Sequence, residues 1–342
     1  MTQTLSPLEL LKAEAPAARP VVALSEGTDP RVVAGALAAH QAGIADVILI
    51  GPQAEVEAAL QAEGASAGNG VAVHDPVSSE LTASFAAEYY ELRKHKGVDQ
   101  AKAREAAETP LVYAAMLVRL GHATGTVGGA VHTTGDVVRS AIQVIGMAPG
   151  AGMVSSFFLM YPPENAAEGA RAMLYSDCGL VIDPNPAEMV SIAAASAQSA
   201  RALLRVEPKL AFLSFSTKGS AKHPAVDKAA EALSLFHDAY PDLQADGELQ
   251  FDAAFVPSVG ERKSPGSSVA GQANVMIFPN LDAGNIGYKI TQRLGGYSAI
   301  GPVLQGLAKP ANDLSRGCSA EDVTQIIAVT ILQASGTNGP SV

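Results

Sequence analysis

The chain has 342 residues, 48% of them hydrophobic and 17% charged, and a formal net charge of −11. That length suffices for two domains, and that apolar content buries a large core and excludes a disordered chain. The acidic balance excludes general nucleic-acid binding, which needs a basic face, yet permits a small anion held by a local cluster of Arg or Lys.

After a short helical start, residues 20–27 (PVVALSEG) spell a buried strand running into a turn. Residues 29–42 have helical spacing, 46–51 (DVILIG) form a second strand, 53–63 a helix and 71–75 (VAVHD) a third strand. Val- and Ile-rich strands alternating with amphipathic helices predict parallel βαβ units. Residues 79–121 read as mainly helical and include a basic cluster, Arg93, Lys94, His95 and Lys96, ahead of Gly97. Cations and a glycine at a helix C-terminus account for that cluster without any ligand.

Residues 123–131 (ATGTVGGAV) are small-sided, a strand or loop that another backbone approaches closely. His132, Thr133 and Thr134 then lead into a helix carrying Arg139. The threonines are first of all N-cap candidates, and would also suit an anion at that helix end. Residues 149–155 (PGAGMVS) contain G-x-G but precede their strand and lack the final Gly or Ala of a dinucleotide loop, so they read as a hinge. No Walker loop, H-E-x-x-H, G-x-S-x-G or clustered Cys/His set occurs, and the histidines default to structural or surface roles.

A second α/β succession follows. Residues 172–184 read as a strand pair or a strand and turn, 187–204 as a helix, 209–216 as a strand and 226–240 as a helix. Residues 249–257 (LQFDAAFVP) and 273–280 read as strands around a polar loop at 261–272, and 281–296 as a helix. Pro302 and the paired Gly295 and Gly296 suggest that the chain crosses back there. Residues 309–322 (KPANDLSRGCSAED) precede an apolar run, and Ser319 with Asp322 three residues on reads as a capped helix start.

The two cysteines, Cys178 and Cys318, stand in no metal or redox spacing, which fits a reducing cytoplasm. The N-terminus lacks the basic region and apolar core of a signal peptide, and no apolar run approaches the ~20 residues that span a bilayer. A cytoplasmic protein with neither a membrane nor a nucleic-acid partner is expected.

Several segments together resemble the phosphate acetyl/butyryltransferase family: SEG at 25–27, GGAVHTTGDVVR at 128–139, SDCGLVIDPNP at 176–186, SPGSSVAGQANVMIFPNLDAGNIGYKITQRLGG at 264–296 and GPVLQGLAKPANDLSRGCSAEDV at 301–323. The resemblance runs nearly end to end. It implies two α/β lobes with an interlobe cleft, a fold related to isocitrate and isopropylmalate dehydrogenases. Residues 1–150 with 301–342 would form the first lobe and 151–300 the second. It also implies a homodimer and reversible acetyl transfer between acetyl phosphate and coenzyme A, releasing or consuming phosphate. Longer members carry an N-terminal regulatory region, and this chain is expected to correspond to the catalytic unit.

Carried over by the same resemblance, the catalytic residues are Asp322, Ser315 and Arg316, and the substrate-binding residues Arg93 and Arg139. Thr133 is a further substrate-binding candidate, as is Ser267 in the 264–268 loop. Coenzyme A is a co-substrate; no cofactor or metal is expected, because acyl phosphates are already activated and no carboxylate cluster is evident. Asp322 would take the thiol proton, Ser315 would bond the thiol or the tetrahedral intermediate, and Arg316 would polarise the acyl carbonyl. A free thiol titrates near 8.5 and a free Asp near 3.9, so the transfer is uphill by roughly 4–5 units unless the site closes the gap. Asp322 remains open to two uses, base or capping-box partner. The alternatives are butyryl transfer, a decarboxylating dehydrogenase on the related fold, and a two-lobed solute-binding protein.

Overall fold

The computed structural model describes residues 4–14, 19–164, 166 and 169–336. Residues 1–3 and 337–342, the ends of the expected first lobe, lie outside the described residues. The chain runs through α1 (Pro7–Glu14), β1 (Val21–Leu24), α2 (Pro30–Gln41), β2 (Asp46–Ile50), α3 (Gln53–Ala62) and β3 (Val71–His74). Then come α4 (Thr82–Arg93), a 3₁₀ turn at Lys94–Lys96, α5 (Gln100–Ala107), α6 (Pro110–Arg119), β4 (Gly125–Gly128) and α7 (Thr134–Val144). Next are β5 (Ser155–Tyr161), β6 (Met173–Ser176), α8 (Pro186–Leu204), β7 (Lys209–Leu213), α9 (Pro224–Ala239) and β8 (Gln244–Leu249). α10 (Phe251–Phe255), α11 (Pro257–Lys263), β9 (Val275–Ile277), α12 (Leu281–Arg293), β10 (Ser298–Gln305), β11 (Ala311–Asp313) and α13 (Ala320–Gly336) complete it.

The chain divides into two compact units, Pro7–Pro149 with Leu307–Val342, and Met1–Ser6 with Gly150–Gly306. Residues 301–306, expected with the first lobe, belong to the second unit. Val303, Leu304 and Gln305 pair antiparallel with β5, and that ladder holds them there.

The first unit is built on a five-stranded sheet of order β11-β4-β1-β2-β3, with every pair parallel. β1 and β2 are short, mostly buried apolar runs, as strands covered on both faces require. Local chemistry starts the helices: the Asp29 carboxylate caps α2 through Arg31 N, and Pro30 takes the first turn, where its missing N–H costs nothing. α13 crosses α2 so closely that a Cβ on Gly35 would lie 2.6 Å from the Ala320 carbonyl oxygen. Buried Asn312 ties β11 to α13, its amide donating to Thr330 Oγ1 (2.9 Å) and Gln333 Oε1 (2.7 Å). Leu24, Val127 and Asn312 stand level across β1, β4 and β11, so the loops after these strands leave from one edge.

The second unit carries a six-stranded mixed sheet of order β10-β5-β6-β9-β7-β8. β5 runs antiparallel to both neighbours, and the remaining pairs are parallel. α12 is pinned to it by Tyr288 stacked on Phe158, centroids 3.9 Å apart. Residues 172–184 resolve into one strand and a turn, in which buried Asp177 accepts from the Gly179 and Leu180 N–H groups. Residues 249–257 are not the expected strand. The strand is β8, whose polar QADGEL pairs with β7 through backbone ladder bonds that need no apolar pattern, and 251–255 coil into α10. Pro257 then opens α11, so the apolar alternation of that stretch belongs to two short helices.

Candidate active site

Three adjacent parallel strands, β11, β4 and β1, end at the same edge of the first sheet. In open α/β sheets that carboxyl edge is where ligands bind. The loops leaving it carry Ser25 to Asp29, Gly129 to Thr133, and Leu314 to Ser319.

Glu26, 6% exposed, sits in the middle of this edge. Its carboxylate accepts from three successive backbone N–H groups, those of Ala130 (2.7 Å), Val131 (2.9 Å) and His132 (2.8 Å). The Nδ1–H of His132 donates to Oε1 at 2.7 Å. Successive N–H groups turned one way form an anion cradle, and here the anion is the protein's own side chain. A Cβ on Gly129, at φ 102°, would collide with Asp313 Oδ1, so only glycine lets the loop turn there.

Arg31, in the first turn of α2, holds the loops together. Nε and Nη2 donate to the two Asp29 oxygens (3.0 and 2.8 Å), and Nη2 also to the Ala130 carbonyl (3.0 Å). Nη1 donates to the carbonyls of Arg316 (2.7 Å) and Cys318 (3.3 Å). The guanidinium hydrogen bond to Asp29 holds that carboxyl below the usual carboxylate range.

The turn so held contains the expected catalytic residues. Ser315 and Arg316 are exposed. Ser315 Oγ accepts from Gly317 N at 3.2 Å, and the Arg316 side chain makes no hydrogen bond among the described residues. Asp322 is exposed in the first turn of α13. Its Oδ2 accepts from Ser319 N (2.8 Å) and Ser319 Oγ (2.9 Å), while Ser319 Oγ accepts from Asp322 N (3.2 Å). The capping box is therefore formed, and it occupies one carboxylate oxygen; Oδ1 accepts no hydrogen bond among the described residues. Cys318 is buried, and that burial pushes its thiol up.

At α7, Thr133 is the N-cap: its Oγ1 accepts from Asp136 N (3.2 Å) and donates to Asp136 Oδ2 (2.7 Å). Arg139 Nη1 donates to Asp136 Oδ1 at 2.6 Å on an exposed surface. Thr133's hydrogen bond, then Arg139's, lower the Asp136 carboxyl. Thr134 Oγ1 donates to Asp313 Oδ2 at 2.6 Å. Arg93 ends α4 with its Nε buried and without a partner among the described residues. Ser267 lies in the second unit, where its hydroxyl donates to Asp246 Oδ2 and accepts from Val269 N (3.1 Å) and Ala270 N (2.9 Å). That hydroxyl is committed to the turn.

Ser315, Arg316, Asp322, Thr133, Arg139 and Arg93 all belong to the first unit. Glu26, Arg31, His132 and Asp313 were absent from the expected set. Glu26, His132 and Asp313 fall within matched segments and Arg31 just beyond one, but a charge after a strand gives no local sign that it will be buried. Among the described residues no group of three His, Cys, Asp or Glu side chains could hold a metal ion, and no helix is long and apolar enough to cross a membrane.

A family model described as "Phosphate acetyl/butaryl transferase" matches residues 7–331. The chain is 47% identical over 313 residues to a phosphate acetyltransferase of Thermoanaerobacterium thermosaccharolyticum, covering 92% of this chain and 94% of the relative. A solved phosphotransacetylase from Streptococcus pyogenes superposes with a TM-score of 0.88 at 41% identity, covering 96% of this chain and 98% of that one. The likeness also reaches 4-hydroxythreonine-4-phosphate dehydrogenase from Klebsiella pneumoniae, at a TM-score of 0.53 and 12% identity over 94% of this chain and 99% of that one, which speaks for the fold alone. With a family model over nearly the whole chain, and the turn and helix start that carried the resemblance gathered in one unit, the chain belongs to the phosphate acetyl/butaryl transferase family.

Proposed function

We propose that this protein is a phosphate acetyltransferase, moving an acetyl group reversibly between acetyl phosphate and coenzyme A. The observation that carries the reading is the full-length likeness to phosphate acetyltransferases, in a unit whose strand edge holds Ser315, Arg316 and Asp322. A thiol must become a thiolate to attack a carbonyl well. Asp322 suits that task because Ser319 fixes Oδ2 and leaves Oδ1 to take the proton. Ser315 bonds the thiol or the tetrahedral intermediate, and the uncommitted guanidinium of Arg316 polarises the acyl carbonyl.

Arg93 and Arg139 receive the phosphate, since a planar guanidinium fork pairs with phosphate oxygens and stays charged. The Nε of Arg93, without a partner among the described residues, supports this, because a buried donor left unpaired costs free energy until a ligand satisfies it. Arg139 exchanges its exposed contact with Asp136 for the anion, and Thr133 stands at the same helix start. Ser267 remains a candidate contact, chiefly through the loop it shapes. Direct attack within a ternary complex needs neither an acyl-enzyme nor a cofactor, because positioning supplies much of the rate.

The protein works as a homodimer in the cytoplasm in this reading. Ile286, Ile290 and Leu294 form an exposed apolar stripe, two of them on α12 and the third just past its end, and a repeat of that spacing suits a two-fold contact. The test is thioester formation from coenzyme A with acetyl or butyryl phosphate as donor. Acetyl preference supports the assignment; a clear butyryl preference moves it to the sister activity, and turnover with neither donor removes both.

A further inference from the structure

The proposed reaction moves a proton as well as an acetyl group. The thiol gives up a hydrogen and the released phosphate gains one, so a group is needed at each end. Asp322 serves the sulfur end. We propose that His132, oriented by buried Glu26, is the group that passes a proton to the leaving phosphate oxygen; this rests on the acetyltransferase reading above.

The Nδ1–H of His132 is committed to Glu26, whose carboxylate is fixed in turn by three backbone N–H groups. Nε2 is then the ring atom left for a ligand, and it makes no hydrogen bond among the described residues. The side chain is 35% exposed, so the ring reaches solvent while its other edge is anchored. His132 immediately precedes Thr133, the N-cap of α7, where the expected phosphate ligand Arg139 also resides. The dyad is joined to the 315–322 turn through two residues, Ala130 and Arg31: Ala130 N donates to Glu26, and Ala130 O accepts from the same Arg31 that holds the carbonyls of Arg316 and Cys318.

Among the described residues the other side chains at this edge are otherwise engaged, Ser315 and Asp322 at the sulfur end. Arg93, Arg139 and Arg316 stay protonated throughout. The hydroxyl hydrogens of Thr133 and Thr134 are committed to Asp136 and Asp313. Asp313 is 0% exposed, and Cys318 is buried.

In acetyl-CoA formation the sulfur forms the new C–S bond, and the bond from the acyl carbon to the phosphate oxygen breaks. Its electron pair stays on that oxygen, which takes the Nε2 proton of doubly protonated His132. The proton that Asp322 removed from the thiol returns through solvent to Nε2. One proton has left sulfur and one has arrived on phosphate, and in reverse His132 takes the proton from attacking phosphate.

The experiment compares wild type, His132→Asn and His132→Ala in thioester formation from acetyl phosphate. Asn can still donate an N–H to Glu26 but has no nitrogen that titrates. Both variants should lose about 10²–10⁴-fold in kcat, with the KM for acetyl phosphate changed little. Added imidazole should restore His132→Ala turnover, saturably, and leave His132→Asn unchanged. Near-normal kcat in His132→Asn, a rise in KM alone, or failure of imidazole to rescue a folded His132→Ala would each overturn the proposal. Wild-type turnover in the same assay tests the acetyltransferase reading separately, since the dyad is judged only by the ratio of variant to wild type.

Discussion

Thr134 Oγ1 donates to Asp313 Oδ2 at 2.6 Å, joining the first turn of α7 to the last residue of β11 through a carboxyl group that solvent does not reach. Asp313 Oδ1 has no partner among the described residues. Burial pushes this carboxyl up to about 7, and the nearby Glu26 charge adds to the rise.

A raised carboxyl makes stability fall as pH rises. Asp313 holds its proton in the folded chain up to about pH 7, whereas the unfolded chain releases it near 3.8. The folded state therefore binds more protons across that window, and stability present below it is lost on passing through about 7. Asp313→Asn should flatten this dependence. Thermal melts at about pH 5 and about pH 8 check it: the variant should lose less Tm between the two than wild type, and equal losses would show that Asp313 does not titrate in this range.

Arg31 tests whether the 315–319 turn is held from outside itself. Arg31→Lys keeps the charge but cannot span Asp29, Ala130, Arg316 and Cys318 together. Losing these bonds should cost about 1–3 kcal/mol and lower kcat. Cys318 should also react faster with a thiol reagent, because the clamp covering it has loosened. Unchanged labelling of Cys318 in the variant would show that the turn holds its own shape.

Asp322 has an observed duty, the cap with Ser319, and a proposed one, the base, and one substitution separates them. The amide oxygen of an asparagine can still accept from Ser319 N as the carboxylate does, so Asp322→Asn should leave Tm nearly unchanged. Turnover should drop by about 10²–10⁴-fold, because the amide cannot take the thiol proton. A fall in Tm with near-normal kcat would leave Asp322 with the cap alone.

The α12 stripe bears on assembly. Ile290→Lys places a charge in the middle of Ile286, Ile290 and Leu294 and should convert a dimer to a monomer of about half the mass by light scattering. A dimer of unchanged stability would move the interface elsewhere.

The βα rhythm of the first unit was legible because β1 and β2 are short apolar runs, and the cap at Thr133 because it acts on a residue three positions away. The stretch at 249–257 misled for the same reason. Its apolar alternation is local, while the strand before it is defined by hydrogen bonds to β7. Ser267 stood in a well-matched segment, yet its hydroxyl is taken up by Asp246 and two backbone N–H groups.

By itself the sequence determined the α/β class, the family and the Ser319–Asp322 helix start, because period, capping and motif are written within a few neighbouring residues. Only the tertiary structure decided what that helix start faces. Glu26 meets His132 across 106 positions, Thr134 meets Asp313 across 179, and Arg31 meets the Arg316 carbonyl across 285. Those pairs exist because strand order β11-β4-β1 brings three distant loops to one edge, and burial there turns ordinary surface residue types into a fixed dyad, a protonated acid and a clamp.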